Sequence, residues 1–239
     1  MQLMERLQNI IAHSGAASRR GAADLIQAGA VSVDGTVVYE PGMRPPEGAV
    51  IRLHGRRIEG ASRKRTVVLN KPVGVVSTMS DPFGAPTVAE LVRTSERLVP
   101  VGRLDRDSDG LLLMSNDGEL VNRLTHPRFE HEKTYIVKVA GRWNDEKLAV
   151  LTSPIKMDDG YVIRPVPVEV ISVRADKTVI LKFTLKEGRK RQIRKMCSVA
   201  HLVVLSLTRV AVGGFKLPKD LPPGKWRDLT NEEIALLTK

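Results

Sequence analysis

Residues 5–28 carry two short apolar stripes with the three- and four-residue spacing of an amphipathic α-helix. The stripes are formed by Leu7, Ile10 and Ile11 and by Ala22, Leu25 and Ile26. Gly15 is placed to end the first helix, Ser18 to cap the second, and Gly29 to stop it. The pattern therefore predicts two short helices joined by a tight connection.

The periodicity then changes from helical spacing to alternation. From Val31 to Val38, apolar and polar residues alternate around Asp34-Gly35, a strong signal for a two-residue hairpin turn. Residues 50–53 add another short strand. A module of two helices and a hairpin is predicted for residues 1–60, and the small and basic residues 61–65 indicate a linker.

From Thr66 onward, short apolar runs alternate with helical patterns, without a repeating βαβ period. Strands are predicted at 67–69, 98–99, 111–114, 135–139, 166–173, 178–185 and 202–212, and helices at 87–92, 118–124, 191–200 and after Thr230. Connections as short as the charged turn at 175–177 favour antiparallel pairing. Residues 66–239 are therefore predicted to form an α+β domain with a mixed, mostly antiparallel sheet.

The charge balance indicates a polyanionic partner. A formal net charge of +11 favours nucleic acid, because lysine and arginine placed against phosphates release condensed counterions. Aromatic residues make up 4% of the chain, too few for an extended base-stacking platform. Recognition by charge and shape is the expected mode.

Composition also excludes several classes of protein. The single cysteine, Cys197, rules out an intrachain disulfide, and the five histidines show no metal-ligand spacing, so no metal site is expected. No apolar run approaches the roughly 20 residues of a membrane span, and the N-terminus lacks a signal-peptide core. A cytoplasmic location without membrane contact is predicted.

An acidic loop stands between two apolar runs at residues 101–114, where Gly102 and Gly110 are predicted to break the flanking strands. Such a loop can hold Asp105 at the wall of a cleft, although its local composition also fits a plain turn. The order Gly-Arg-Leu-Asp, followed by Ser108 and a leucine run, resembles the aspartate motif of the RsuA/RluB family of pseudouridine synthases. The resemblance places that family's catalytic aspartate at Asp105.

Residues 5–58 resemble an S4 RNA-binding domain, through Ser-Arg-Arg at the start of the second helix and Gly-Ala-Val-Ser-Val-Asp-Gly at 29–35. The resemblance implies that this helix and the loop before it lie against structured RNA. The residues expected to contact RNA there are Arg6, Ser18, Arg19 and Arg20. S4 domains occur in several classes of RNA-binding protein, so this motif predicts the ligand and not the reaction. A helical cap with solvated arginines is the simpler alternative.

Further motifs match the same synthase family in the same order: Asn-Lys-Pro-Val-Gly at 70–74, Lys-Thr-Tyr at 133–135, Glu-Gly-Arg-Lys-Arg-Gln-Ile-Arg at 187–194 and Leu-Pro-Pro-Gly-Lys-Trp at 221–226. The resemblance covers nearly the whole chain. It implies isomerisation of a uridine in ribosomal RNA to pseudouridine. The residues of this region expected to bind RNA are Lys71, Arg103, Arg189 and Arg191.

The same resemblance implies a role for each of three residues: Asp105 as the catalytic carboxylate, Tyr135 as the active-site aromatic, and Arg194 as the basic residue paired to the aspartate. A guanidinium beside Asp105 would favour its ionised form. The carboxylate could add to C1′ of the ribose or remove a proton from C2′, and the sequence leaves both routes open. Since no redox or nucleotide-driven step is involved, no cofactor is expected.

Two alternatives to this function remain at the level of sequence. The first is a non-catalytic S4-domain RNA-binding factor in ribosome assembly, against which the joint presence of Asp105, Tyr135 and Arg194 argues. The second, a DNA-binding helix-turn-helix at residues 5–28, is disfavoured because a hairpin follows the helices. Residues 111–127 look closer to large-subunit than to small-subunit rRNA enzymes. The expected partner is ribosomal RNA or an assembly intermediate, and a monomer is the default expectation.

Overall fold

The computed structural model describes residues 5–58, 63–157 and 160–238. The chain divides into two compact units: Met1–Arg65 with Thr94–Leu98 and Asn116–Gly118, and Thr66–Arg93 with Val99–Ser115 and Glu119–Lys239. The first unit contains the predicted 1–60 module together with two short segments that the sequence did not indicate. Residues 61–62 of the predicted linker lie outside the described residues.

The N-terminal module of the first unit consists of two helices and a small sheet. Its elements are α1 (Leu7–His13), α2 (Arg19–Gln27), β1 (Val31–Val33), β2 (Thr36–Val37), β3 (Ile51–Leu53) and β4 (Arg56–Arg57). Ser18 Oγ accepts the Gly21 N–H at 2.9 Å, which confirms the predicted cap of α2. The predicted hairpin turn is also confirmed, with Asp34 and Gly35 both at positive φ. The apolar stripes of both helices pack on β1 and β3 to form the core.

The rest of the chain combines a large sheet with short helices. The strands are β5 (Thr66–Lys71), β6 (Val99–Val101), β7 (Asp109–Ser115), β8 (Lys133–Ala140), β9 (Ile155–Lys156), β10 (Val162–Ile163), β11 (Val168–Val173), β12 (Thr178–Leu185), β13 (Val203–Val212), β14 (Phe215–Lys216) and β15 (Trp226–Asp228). The helices are α3 (Val88–Leu91), α4 (Gly118–Thr125), α5 (Asp145–Thr152), α6 (Gln192–Val199) and α7 (Asn231–Leu236), with a 3-10 turn at Pro127–Phe129.

The large sheet has the order β11-β12-β8-β13-β7-β5-β15, with β14 joined to β13 and β6 to β7. Among the described strands, β7 and β13 pair in parallel and the other neighbours are antiparallel. The predicted α+β class and mixed, mostly antiparallel sheet are therefore confirmed. Helix α5, the β9–β10 pair and strands β14 and β15 were not predicted, because each is short or buries few residues; α5 buries Leu151.

Gly110 lies inside β7, so the expectation that it breaks this strand is wrong. Its φ is 98°, and a Cβ atom there would overlap the backbone carbonyl oxygen of Arg209. Gly110 and Arg209 are register partners in the parallel β7–β13 pair. The missing side chain therefore permits the close approach of the two strands directly after the Asp105 loop.

Replacing Gly110 should destabilise the fold. Gly110→Ala combines a clash with a strained positive φ, so the free energy of unfolding should fall by about 2 kcal/mol or more. Urea denaturation measures the effect, with Gly188→Ala as control, because nothing lies within 4 Å of a Cβ at Gly188 and its φ is not positive. Equal midpoints for the two variants would contradict the strand-approach explanation.

Within the described residues, no helix has the length and apolar character needed to cross a membrane.

Candidate functional site

The loop that joins β6 to β7 carries Asp105, and backbone contacts hold it from two sides. Ser77 Oγ donates to the Leu104 carbonyl at 2.8 Å and accepts the Leu104 N–H at 3.1 Å. The Gly74 N–H donates to the Arg106 carbonyl at 2.7 Å, and Arg106 Nε donates to the Gly74 carbonyl at 3.1 Å. The turn after β5 thus supports the residues on both sides of Asp105, whose side chain remains 37% exposed.

Lys71 is fully buried, so the prediction that it binds RNA is wrong. Its ammonium donates to the carbonyls of Ser108 at 2.7 Å, Pro72 at 3.0 Å and Asp105 at 3.2 Å. Burial lowers the pKa of Lys71 from 10.5 to about 8, against the opposing effect of nearby carboxylates. The side chain is directed inward because three carbonyls of the two turns need a donor there. Lys71 shapes the Asp105 loop from inside.

The buried ammonium predicts opposite effects of alkaline pH on stability and activity. Above pH about 8 the folded protein releases the Lys71 proton, while the unfolded chain keeps it up to 10.5. The cost of burying the charge is therefore fully present below pH about 8 and is relieved as pH rises. The neutral amine has only two N–H donors for three carbonyls, so the Asp105 loop loses a contact.

We expect Lys71→Met to lower kcat by about 100-fold with little change in RNA affinity, because misplacing a catalytic group by 1 Å costs about that much. The expected pH–rate profile of the unaltered protein declines through pH about 8. Single-turnover rates and RNA binding measured across pH test both statements. A Lys71→Met protein with an unchanged kcat and a raised Kd for RNA would contradict the buried role.

The second wall of the site comes from the turn before α6. Arg191 occupies the helix N-cap with a left-handed φ of 55°, and its guanidinium donates to both carboxylate oxygens of Asp107 at 3.0 and 2.9 Å. This hydrogen-bonded pair, assisted by the positive charge of Arg194, holds the pKa of Asp107 below its usual value. The same pair raises the pKa of Arg191. The acidic loop and the basic turn are thereby joined.

The predicted Asp105–Arg194 ion pair is not formed. Arg194 donates to the Asp107 carbonyl at 2.6 Å and to Ser108 Oγ at 3.3 Å, and its Nε lies 3.3 Å from a carboxylate oxygen of Asp107. The cation nearest to the Asp105 carboxylate is Arg191, at 3.8 Å. Arg194, one turn into α6, reaches the backbone after Asp105, whereas Arg191 at the helix start extends along the loop. The pairing prediction was therefore wrong in detail, although both arginines border the same loop.

Asp105 and Tyr135 line one cavity of about 460 Å³ in the second unit. Tyr135 projects from β8 and is 8% exposed, and Leu185 and Leu207 of the flanking strands add apolar surface. The predicted basic residues that share this lining are Arg103, Arg189, Arg191 and Arg194. The cavity therefore combines a carboxylate, an aromatic ring, apolar walls and a basic rim.

The remaining predicted RNA contacts lie in the first unit. Arg6, Ser18, Arg19 and Arg20 are all exposed, at the starts of α1 and α2. Among the residues that the structure describes, no group of three or more histidine, cysteine, aspartate or glutamate side chains is arranged to hold a metal ion.

Sequence reasoning missed Asp107, which holds the basic turn, and two cations near the site, the partly buried Lys133 and the buried Arg209. The high arginine content of residues 187–194 was the sequence feature that could have indicated Asp107, because a cluster of cations favours an acidic partner. Nothing in the sequence indicated which of the neighbouring aspartates provides it, because the two segments lie 84 residues apart.

Comparison with known proteins gives the family. Residues 65–199 match the family model for RNA pseudouridylate synthase, and residues 5–51 match the S4 domain model. "Ribosomal large subunit pseudouridine synthase B" of Bacillus subtilis is 39% identical over 98% of this chain and 96% of its own length. An "Uncharacterized RNA pseudouridine synthase" of Aquifex aeolicus is 37% identical over 98% of this chain and 94% of its own length.

Comparison with solved structures agrees with the family matches. A pseudouridylate synthase crystal structure superposes with a TM-score of 0.70 at 27% identity, covering 97% of this chain and 99% of that one. A subunit of an archaeal box H/ACA Nop10–Cbf5 complex shares the fold, with a TM-score of 0.50 at 18% identity over 67% of this chain and 51% of its own. This chain belongs to the RNA pseudouridine synthase family and begins with an S4 domain.

Proposed function

We propose that this protein converts one uridine of large-subunit ribosomal RNA to pseudouridine, with Asp105 as the catalytic carboxylate. The observation that carries the proposal is the shared cavity, in which Asp105 and Tyr135 lie within a basic rim. The large-subunit assignment rests on the name of the Bacillus subtilis relative, which matches over almost the full length of both chains. The proposed substrate is free rRNA or an assembly intermediate, and the proposed location is the cytoplasm.

The reaction breaks the N1–C1′ bond, rotates the uracil and joins C5 to C1′. The C5 proton is lost and N1 regains a proton, so no external reactant is consumed. Asp105 can assist in two ways: by adding to C1′ and leaving again, or by taking a proton from C2′ and returning it. Both routes need an ionised carboxylate that is open to the ribose, and the 37% exposure of Asp105 permits this access.

Tyr135 has the position of a base-holding residue. Its ring is almost buried, and the cavity that it shares with Asp105 is bounded by Leu185 and Leu207. An aromatic ring beside aliphatic side chains gives a planar base an apolar surface to stack on, so the freed uracil can be held while it rotates. A base reaches this surface only after leaving its stack, at a cost of a few kcal/mol that contacts to the RNA backbone must offset.

The basic rim supplies those backbone contacts. Arg103, Arg189 and Arg191 are exposed around the cavity mouth, where guanidinium groups can bind phosphate oxygens in pairs. Arg19 and Arg20 are the corresponding contacts of the S4 domain. Phosphate contacts fix the position of RNA without reading its sequence, so the rim and the S4 domain contribute affinity. A single chain suffices for this arrangement, and we propose a monomer.

The S4 contribution can be isolated by charge reversal. Arg19→Glu/Arg20→Glu should weaken rRNA binding and reduce the slope of log affinity against log salt by about 2, because two fewer phosphates are neutralised. Filter binding at several salt concentrations measures the slope. Asp24→Ala, on a later turn of the same helix, serves as control for helix integrity. An unchanged slope would show that these arginines face solvent.

The function itself is tested by mapping pseudouridines in ribosomal RNA from cells with and without this protein. We expect one position of the large-subunit rRNA to lose its pseudouridine when the protein is absent and to regain it when the gene is restored. An identical map in both strains would contradict the proposal, and a lost position in small-subunit rRNA would correct the substrate.

A further inference from the structure

A second cavity of about 350 Å³ lies beside the Asp105 cavity in the same unit. Tyr135, Arg103 and Arg189 line both cavities, so Tyr135 forms part of the wall between them. Lys133 of β8 and Arg209 of β13 line the second cavity but not the first. Neither side chain is used in the reaction described above.

Arg209 is 3% exposed, which is unusual for a guanidinium without a carboxylate. Its Nε donates to the Leu111 carbonyl at 2.7 Å. Within the described part of the chain, the Arg209 side chain makes no other hydrogen bond, and no carboxylate lies within ion-pair distance of it. The guanidinium of Arg209 is therefore buried at the cavity wall without an ion pair.

Lys133 adds a second uncompensated cation next to the first. Its ammonium donates to the His131 carbonyl at 2.9 Å, and no ion pair of Lys133 occurs among the described residues. Burial, and secondarily the charge of Arg209, lowers the pKa of Lys133 to about 8. His131 lies at the same cavity, and its Nε2 is buried without a hydrogen-bond partner in the described structure.

The one carboxylate of the cavity lining is already engaged. Glu187 accepts a hydrogen bond from the Tyr161 hydroxyl at 2.9 Å through one oxygen and from Gln192 Nε2 at 2.9 Å through the other. It therefore orients the wall rather than neutralising Lys133 or Arg209. Burying the guanidinium of Arg209 and partly burying the ammonium of Lys133 costs folding free energy when neither forms an ion pair, so their joint presence in this lining points to an anionic ligand.

We propose that this second cavity binds a backbone phosphate of the substrate RNA, belonging to the nucleotide next to the target uridine. The proposal rests on the proposed function, because the occupant is placed by its connection to the uridine held on the other side of Tyr135. Lys133 and Arg209 bind the phosphate oxygens, and Arg103 and Arg189 hold the chain where it passes between the two cavities. Binding of this phosphate fixes the ribose of the target relative to Asp105.

The test uses synthetic fragments of the large-subunit rRNA, centred on the uridine that the mapping identifies. In each fragment one phosphate near the target is replaced by a neutral methylphosphonate. With the unaltered protein, one flanking substitution should lower kcat/KM by about 10- to 100-fold, the range expected for losing a charge-assisted contact. Lys133→Met should lower kcat/KM on the all-phosphate fragment similarly and should be insensitive to that one methylphosphonate.

Lys182→Met is the matched control, because Lys182 lies on the neighbouring strand β12 in a surface ion pair with Glu169 at 2.9 Å. This variant should retain the full response to the methylphosphonate. The proposal is overturned if no flanking position affects the unaltered protein, or if the effects of Lys133→Met and of the methylphosphonate multiply at every position. The proposed function fails separately, if the unaltered protein produces no pseudouridine in the all-phosphate fragment.

Thermal unfolding distinguishes a ligand contact from a structural role. Removing one of two mutually repelling cations should leave the melting temperature of the RNA-free Lys133→Met protein unchanged or raised, although its activity falls. A lowered melting temperature in proportion to the lost activity would assign Lys133 a structural role instead. Inorganic phosphate should stabilise the unaltered protein less than the RNA fragment does; equal stabilisation at matched phosphate would indicate a site for free phosphate.

Discussion

Asp105→Asn should abolish pseudouridine formation while leaving RNA affinity nearly unchanged. The amide keeps the size and much of the hydrogen bonding of the carboxylate, but it can neither add to C1′ nor take a proton from C2′. The expected loss in kcat is at least about 100- to 10,000-fold, the usual contribution of a reacting acid–base group. Affinity is preserved because the contacts that bind RNA are made by the basic rim and the S4 domain.

Asp107→Asn is the matched control, since it makes the same chemical change two residues further along the loop. Its amide oxygen can still accept a hydrogen bond from Arg191, and Arg194 bonds to the backbone carbonyl of residue 107, which the substitution retains. We therefore expect Asp107→Asn to lose far less activity than Asp105→Asn. Single-turnover assays with excess protein make the comparison. If the two variants lost equal activity, the reaction would depend on the negative charge of the loop as a whole, and Asp105 would have no special role.

Replacing Arg194 should also have a large effect on kcat. Arg194→Met removes the donor that binds the Asp107 carbonyl at 2.6 Å and leaves Ser108 Oγ without this contact. The side chain is 14% exposed, so water does not readily replace it. We expect kcat to fall by about 100-fold, because a small displacement of a catalytic group costs about that much. Arg194→Lys should recover part of the rate, since one donor remains without the planar fork.

Arg191→Met provides the comparison within the same turn. Arg191 is 43% exposed and bonds to Asp107 at the surface, where such pairs contribute little. The expected loss in kcat is less than about tenfold, with a larger effect on KM because the rim loses a phosphate contact. Kinetics of both variants over a range of RNA concentrations separate kcat from KM. A larger kcat loss for Arg191→Met would make direct contact with Asp105, at 3.8 Å, the dominant role of this turn.

Local sequence pattern was sufficient for much of the fold. Strand β12 occupies the predicted residues 178–185, because its alternating residues face a buried layer on one side. The capping boxes at Thr87 and Thr230 begin α3 and α7 as their spacing predicts. In each case the residues that determine the element lie within it or directly before it, because periodicity and capping are local properties of the sequence.

The family motifs predicted which residues surround the site but not how their charges are paired. Asp105, Tyr135 and four arginines were expected together, and the structure brings them to one cavity. Burial of Lys71 could not be read from its own neighbourhood, because the carbonyls that receive its ammonium lie 34 and 37 residues further on. Pairing of Asp107 with Arg191 and isolation of Arg209 are likewise set by the arrangement of strands in space.

The role of Asp105 in pseudouridine formation is tested most directly by pseudouridine mapping on protein-free large-subunit rRNA transcript, incubated with the purified full chain or with its Asp105→Asn variant. We expect one new pseudouridine with the unaltered protein, formed without added cofactor, and none at that position with Asp105→Asn, although both proteins bind the transcript. Formation of the same pseudouridine by Asp105→Asn at a comparable rate would contradict the catalytic role of Asp105.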